Sequence, residues 1–82
     1  RPGSIVSMPQ TEIKMERTGN MVTLTNTGKH PAIGVHVEVP EKMDQLIVSE
    51  NYIWLNPQES KILKINLESP VIVKGWNLQS PY

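Results

Sequence analysis

The stretch from Glu50 to Leu67, ENYIWLNPQESKILKINL, limits what this chain can become more than any other. It reads as two short strands joined by the tight polar turn Asn56-Pro57-Gln58-Glu59-Ser60. Proline presets φ at the first corner of such a turn, and polar residues after it suit solvent. On the far side, Leu63, Ile65 and Leu67 alternate with Lys64 and Asn66. Alternation of period two means one buried face and one wet face, the signature of a strand in a sheet.

The same period recurs along the chain. Ile13 and Met15 alternate with Glu12, Lys14 and Glu16, and Thr18-Gly19-Asn20 supplies a turn. Val22 and Leu24 follow, then the turn-forming run Asn26-Thr27-Gly28-Lys29-His30-Pro31. Next, Ile33, Val35, Val37 and Val39 are expected on one face, with Gly34, His36 and Glu38 on the other, until Pro40 ends the strand. Glu41–Gln45 is a polar connection, Leu46-Ile47-Val48 a short strand, and Val71-Ile72-Val73 opens the last one. Gly75 interrupts that last strand and signals a bulge before Trp76. No stretch holds a helical period. The expectation is an all-β antiparallel β-sandwich of about seven strands, with a small open barrel as the alternative. Residues 1–9, with two prolines and a glycine, read as a linker or loose first strand, and residues 10–82 as the sandwich domain.

Composition removes several function classes. Eighty-two residues make one small domain. A chain of this size buries about 60–65% of the surface it exposes when unfolded. Eight basic residues balance eight acidic ones, so no charge field points to nucleic acid or anionic lipid. Cysteine is absent, which excludes a disulfide scaffold. No run approaches the ~18 apolar residues of a membrane span. The start at Arg1-Pro2-Gly3-Ser4, without methionine or an apolar leader, reads as a piece of a longer protein.

Three motifs in series resemble a known family. They are Val22-Thr23-Leu24-Thr25-Asn26-Thr27-Gly28-Lys29-His30-Pro31-Ala32, then Glu50-Asn51-Tyr52-Ile53-Trp54-Leu55-Asn56-Pro57-Gln58-Glu59, then Gly75-Trp76-Asn77. In this order, over roughly residues 10–78, they resemble the C-terminal immunoglobulin-like domain of family 2 glycoside hydrolases, the β-mannosidase and exo-β-D-glucosaminidase branch. Glu50 stands where that family usually has aspartate, and Gln58 where its turn usually has glycine. A glutamine at that corner predicts a type I turn, which needs no positive φ. The resemblance implies a non-catalytic accessory domain of a multidomain exo-glycosidase in a periplasmic or extracellular bacterial setting. Its partners would be the parent's neighbouring domains, with weak glycan contact as a further option. The catalytic carboxylates would sit on a separate barrel, and none is carried over here.

The residues themselves agree that this chain lacks a reaction centre. Glycoside hydrolysis needs two facing carboxylates, whereas Glu12, Glu16 and Glu38 read as solubilising charges on strands. His30 and His36, the only histidines, read as solvated and cannot fill a zinc site without cysteine. No phosphate loop or catalytic triad is visible, and no metal or cofactor is expected. Asn51 is expected to bond its own loop backbone. The aromatics remain. Tyr52 and Trp54, two apart, project from one sheet face, and Ile53 and Leu55 from the other. Tyr52, Trp54 and Trp76 are therefore the candidate sugar-binding residues, since a pyranose stacks its apolar face on an aromatic ring. The plainer reading puts Trp54 and Trp76 in the sandwich core, at its edge, or against a neighbouring domain. A fibronectin III-like adhesion or spacer role fits the same fold. Aromatic exposure separates these readings.

Overall fold

The computed structural model describes residues 8–78. Within them lie six strands and no helix: β1 (Ile13–Thr18), β2 (Met21–Asn26), β3 (Ala32–Glu38), β4 (Ile53–Leu55), β5 (Ser60–Lys64) and β6 (Ile72–Lys74). They form two antiparallel three-stranded sheets, ordered β1-β2-β5 and β4-β3-β6. This is the immunoglobulin-like sandwich, with six strands in place of about seven. The expected first strand or linker falls mostly in residues 1–7, outside the described residues.

The missing strand has a cause in a distant side chain. Leu46-Ile47-Val48 makes a single antiparallel bridge, Val48 to Ile65. Beside it, the Asn66 side chain takes two backbone groups that a ladder would use. Ile47 N–H donates to Asn66 Oδ1 at 2.6 Å, and Asn66 Nδ2 donates to the Gln45 carbonyl at 2.8 Å. Backbone groups already satisfied by a side chain are no longer available to a ladder.

Between the sheets lies an aliphatic core. Val22 and Leu24 of β2, Ala32, Val35 and Val37 of β3, Val39 just after it, Ile53 and Leu55 of β4, and Leu63 of β5 are buried, with Ile65 and Val71. Ile13, Leu46, Val48, Leu67, Val73 and Leu78 close its rim. The β1–β2 hairpin turns through Gly19 and Asn20, with Gly19 at φ +59°. A glycine at the first central position of a two-residue loop matches the strand twist.

Along β3 the expected face changes phase. Ala32 pairs with Leu55 and Val35 with Ile53, so three steps on β3 oppose two on β4. The extra residue forms a bulge at Ile33-Gly34, where Gly34 takes φ +66°. Both Ala32 and Val35 therefore point inward despite their odd spacing, and Ile33 is only half-buried. The bulge belongs to Gly34 and not to Gly75, because β6 has already ended at Lys74.

The turn between β4 and β5 also departs from expectation. Glu59 N–H donates to the Asn56 carbonyl at 3.0 Å, and Gln58 sits at φ +68°. With Pro57 at the first corner this is a type II turn, built with glutamine where glycine is usual. Asn26 holds it from outside: Gln58 N–H donates to the Asn26 carbonyl at 2.7 Å and Asn26 N–H to the Glu59 carbonyl at 3.0 Å.

Candidate functional site

The two outer faces of the sandwich differ in kind. On the β1-β2-β5 sheet, register aligns Lys14, Thr25 and Ser60 in one outward row and Glu16, Thr23 and Ile62 in the next. That face is mostly charges and hydroxyls. On the β4-β3-β6 sheet the outward positions are Tyr52 and Trp54 at β4, His36 and Glu38 on β3, and Ile72, Lys74 and Trp76 along and after β6. The exposures are 64% for Tyr52, 56% for Trp54 and 67% for Trp76. Every described tryptophan and tyrosine thus lies outside the core. Ile53 and Leu55 are buried between them, as alternation requires.

The core role for Trp54 and Trp76 is overturned by this exposure. The reason is volume and phase: Ile53 and Leu55 already fill the inward positions of β4, which leaves the aromatic positions to face out.

Each ring is held in place. Trp54 Nε1–H donates to Asn56 Oδ1 at 2.9 Å, within its own hairpin. Tyr52 stacks on the His36 ring with centroids 4.4 Å apart and planes at 25°. To reach that pose its backbone takes φ +56°, costly for a bulky residue. Asn51 supports this bend by accepting the Val37 N–H at 3.0 Å, so it reaches across to β3 and does not bond its own loop. The Trp76 backbone N–H donates to the Ile33 carbonyl at 2.9 Å, just beyond the end of β6.

Beside the rings sits a charged group. Glu38 accepts from His36 Nε2 at 3.0 Å and from Lys74 Nζ at 3.3 Å. His36 Nδ1 lies 3.1 Å from the Gly34 carbonyl oxygen. The His36 hydrogen bond holds the Glu38 carboxyl below its ordinary range; burial opposes it, and the Lys74 hydrogen bond and the charges of Lys74 and His36 add to the lowering. His36 is thus not a solvated histidine: its side chain is 12% exposed and packed between Tyr52 and Glu38. His30, in contrast, is exposed in the β2–β3 loop.

Sequence reasoning found the three aromatics and missed Gly34, His36 and Lys74 as their neighbours. Alternation put His36 outward, but only the β3–β4 and β3–β6 registers bring it beside Tyr52 and Lys74. Two buried asparagines were missed as well. Asn26 accepts from Thr11 Oγ1 at 2.7 Å and Gly28 N–H at 2.9 Å, and donates to the His30 and Leu55 carbonyls at 2.8 and 3.0 Å. Asn77 accepts the Ile33 N–H at 2.9 Å and donates to the Pro9 and Pro31 carbonyls at 2.8 and 2.7 Å. Both fasten loops at the end of the sandwich and leave no polar atom for a ligand. Among the described residues, no group of three or more His, Cys, Asp or Glu could hold a metal ion. Glu12, Glu16 and Glu38 do not meet; Glu16 pairs with Lys14 at 3.8 Å in solvent.

Comparison with curated proteins and with solved structures gave no match. One family model does match, that of the exo-β-D-glucosaminidase Ig-fold domain, over residues 4–78. It spans all six strands, both buried asparagines and the aromatic face. The chain therefore belongs to the family of immunoglobulin-fold domains of exo-β-D-glucosaminidases, within the family 2 glycoside hydrolases.

Proposed function

We propose that this domain is a non-catalytic accessory part of an exo-acting glycosidase that breaks down oligosaccharide or polysaccharide chains. It works through the outer face of the β4-β3-β6 sheet, and its partners include neighbouring domains of the same enzyme. The observation that carries this reading is the one-sided placement of Tyr52, Trp54 and Trp76. A sandwich with no further task has no reason to leave three large rings on one face while the other carries mostly charges and hydroxyls, with Met21 and Ile62 exposed among them. Family membership supplies the enzymatic context, and the dispersed carboxylates support a non-catalytic role.

The pure 82-residue chain is expected to release no product from aryl-glycosides of glucosamine, mannose or galactose. Steady turnover that survives repurification would overturn the non-catalytic reading. In a full-length glycosidase carrying the domain, the double substitution Trp54→Ala with Trp76→Ala is expected to lower either turnover on oligosaccharide or the melting temperature of the whole enzyme. If both stay unchanged, the outer face is not the working surface.

A further inference from the structure

Trp76 is seated in an unusual way. Trp76 follows β6, and Gly34 lies in the bulge of β3 just beyond the His36–Lys74 pair. A Cβ built on Gly34 would lie 2.8, 2.9 and 2.9 Å from Trp76 Cε2, Cδ2 and Nε1. Three non-collinear ring atoms at nearly equal distance mean that the indole meets Gly34 with its face and not its edge. One face of the ring rests on bare backbone, and the other is open to solvent, which accounts for its 67% exposure. Trp54 lies on β4, across β3 from Trp76, pinned by its bond to Asn56.

We propose that Trp54 and Trp76, flanking Gly34, form a stacking platform for the apolar face of a pyranose in a neutral glycan. The proposal rests on the reading of this outer face as the working surface and names its occupant. An indole already backed on one side offers its free face without losing side-chain freedom on binding. A pyranose presents axial C–H groups to such a face and hydroxyls at its rim. Hydroxyl partners stand at the edge of the platform in Asn56 and Lys74, the latter 57% exposed. The charges also match. The two rings carry no charge, and the carboxylates near them are engaged, Glu38 by His36 and Lys74 and Glu59 by the Asn56 N–H. An uncharged ligand loses nothing there. Covering a strand glycine with an aromatic ring does stabilise a sheet, but that role uses one face of Trp76 and has no use for Trp54.

The test follows the two indole N–H resonances while the 82-residue chain is titrated with N-acetylchito-, manno- and galacto-oligosaccharides. Both resonances are expected to shift saturably with at least one series, with half-saturation near about 1 mM. Trp54→Ala and Trp76→Ala, checked for retained amide dispersion, should each weaken binding at least about tenfold. Lys14→Ala, on the opposite face, should leave it unchanged. No shift in a folded protein with any series overturns the proposal, as does binding that neither tryptophan variant weakens. Should sugars be silent while the double tryptophan variant still impairs the full-length enzyme, the face works through protein contact and the platform proposal alone falls. Should both be silent, the outer-face reading falls with it.

Discussion

Gln58 shows how a single residue can be read correctly for position and wrongly for conformation. Its place after Pro57 marked a turn, and the absence of glycine argued for type I. The observed φ of +68° is imposed from outside, by the bond of its N–H to the buried Asn26 and by Glu59 Oε1 accepting the Asn56 N–H at 2.7 Å. A left-handed backbone costs a residue with a side chain about 1–2 kcal/mol, and glycine gives back part of that in chain entropy. Gln58→Gly is therefore expected to stabilise the domain by about 0.5–1 kcal/mol in urea unfolding; a loss of stability would show that the Gln58 side chain matters more than its backbone. Asn26 is the opposite case, a polar residue in a fully buried position with both side-chain ends satisfied. Asn26→Ala should cost about 3 kcal/mol, since it strands several buried partners at roughly 1 kcal/mol each. Asn26→Asp should also destabilise, because it places a carboxylate against the His30 and Leu55 carbonyls.

Strand β3 organises the residues on both faces of its sheet. Its inward side, Ala32, Val35 and Val37, meets the core, and its outward side seats Tyr52 through His36 and Trp76 through Gly34. The bulge makes this possible: one extra residue between Ala32 and Val35 shifts phase and leaves Gly34 beneath the indole. Glu38 links β3 to β6 through Lys74. Because its folded-state pKa is lowered, its contribution is fully present above the ordinary value of 4.5 and is lost as pH falls through the lowered value. Comparing thermal melts of the wild type and Glu38→Gln across pH should show a gap at neutral pH that closes in acid, below about pH 4.5. A gap that persists unchanged at pH 2–3 would mean that Glu38 acts through packing and not through charge.

At the scale of the molecule, stability comes from aliphatic burial between two thin sheets. The ion pairs Lys14–Glu16 and Lys61–Glu50 sit in solvent and contribute little. Leu24 and Val37 are both fully buried from opposite sheets. Leu24→Ala is expected to cost about 2–4 kcal/mol and Val37→Ala about half that, read from denaturant midpoints. In so small a domain the first loss approaches the whole margin of stability. Near-zero effects would place the core elsewhere.

The all-β class, the inward set Val22, Leu24, Val35, Val37 and Leu63, and the pairing of Tyr52 with Trp54 on one face were legible in the order of residues. Each follows from a period of two, which is local and needs no knowledge of neighbours. The immunoglobulin-like family could also be read, from three short motifs in sequence. What the chain could not reveal by itself was register. Register decides that Ala32 replaces Ile33 in the core, that Asn66 stops the strand at Val48, and that Gln58 is forced to positive φ. It also sets His36 against Tyr52 and lays Trp76 on Gly34. These are contacts between segments that are distant along the chain, fixed when two sheets close on one core. The tertiary structure alone therefore turned three scattered aromatics into one surface.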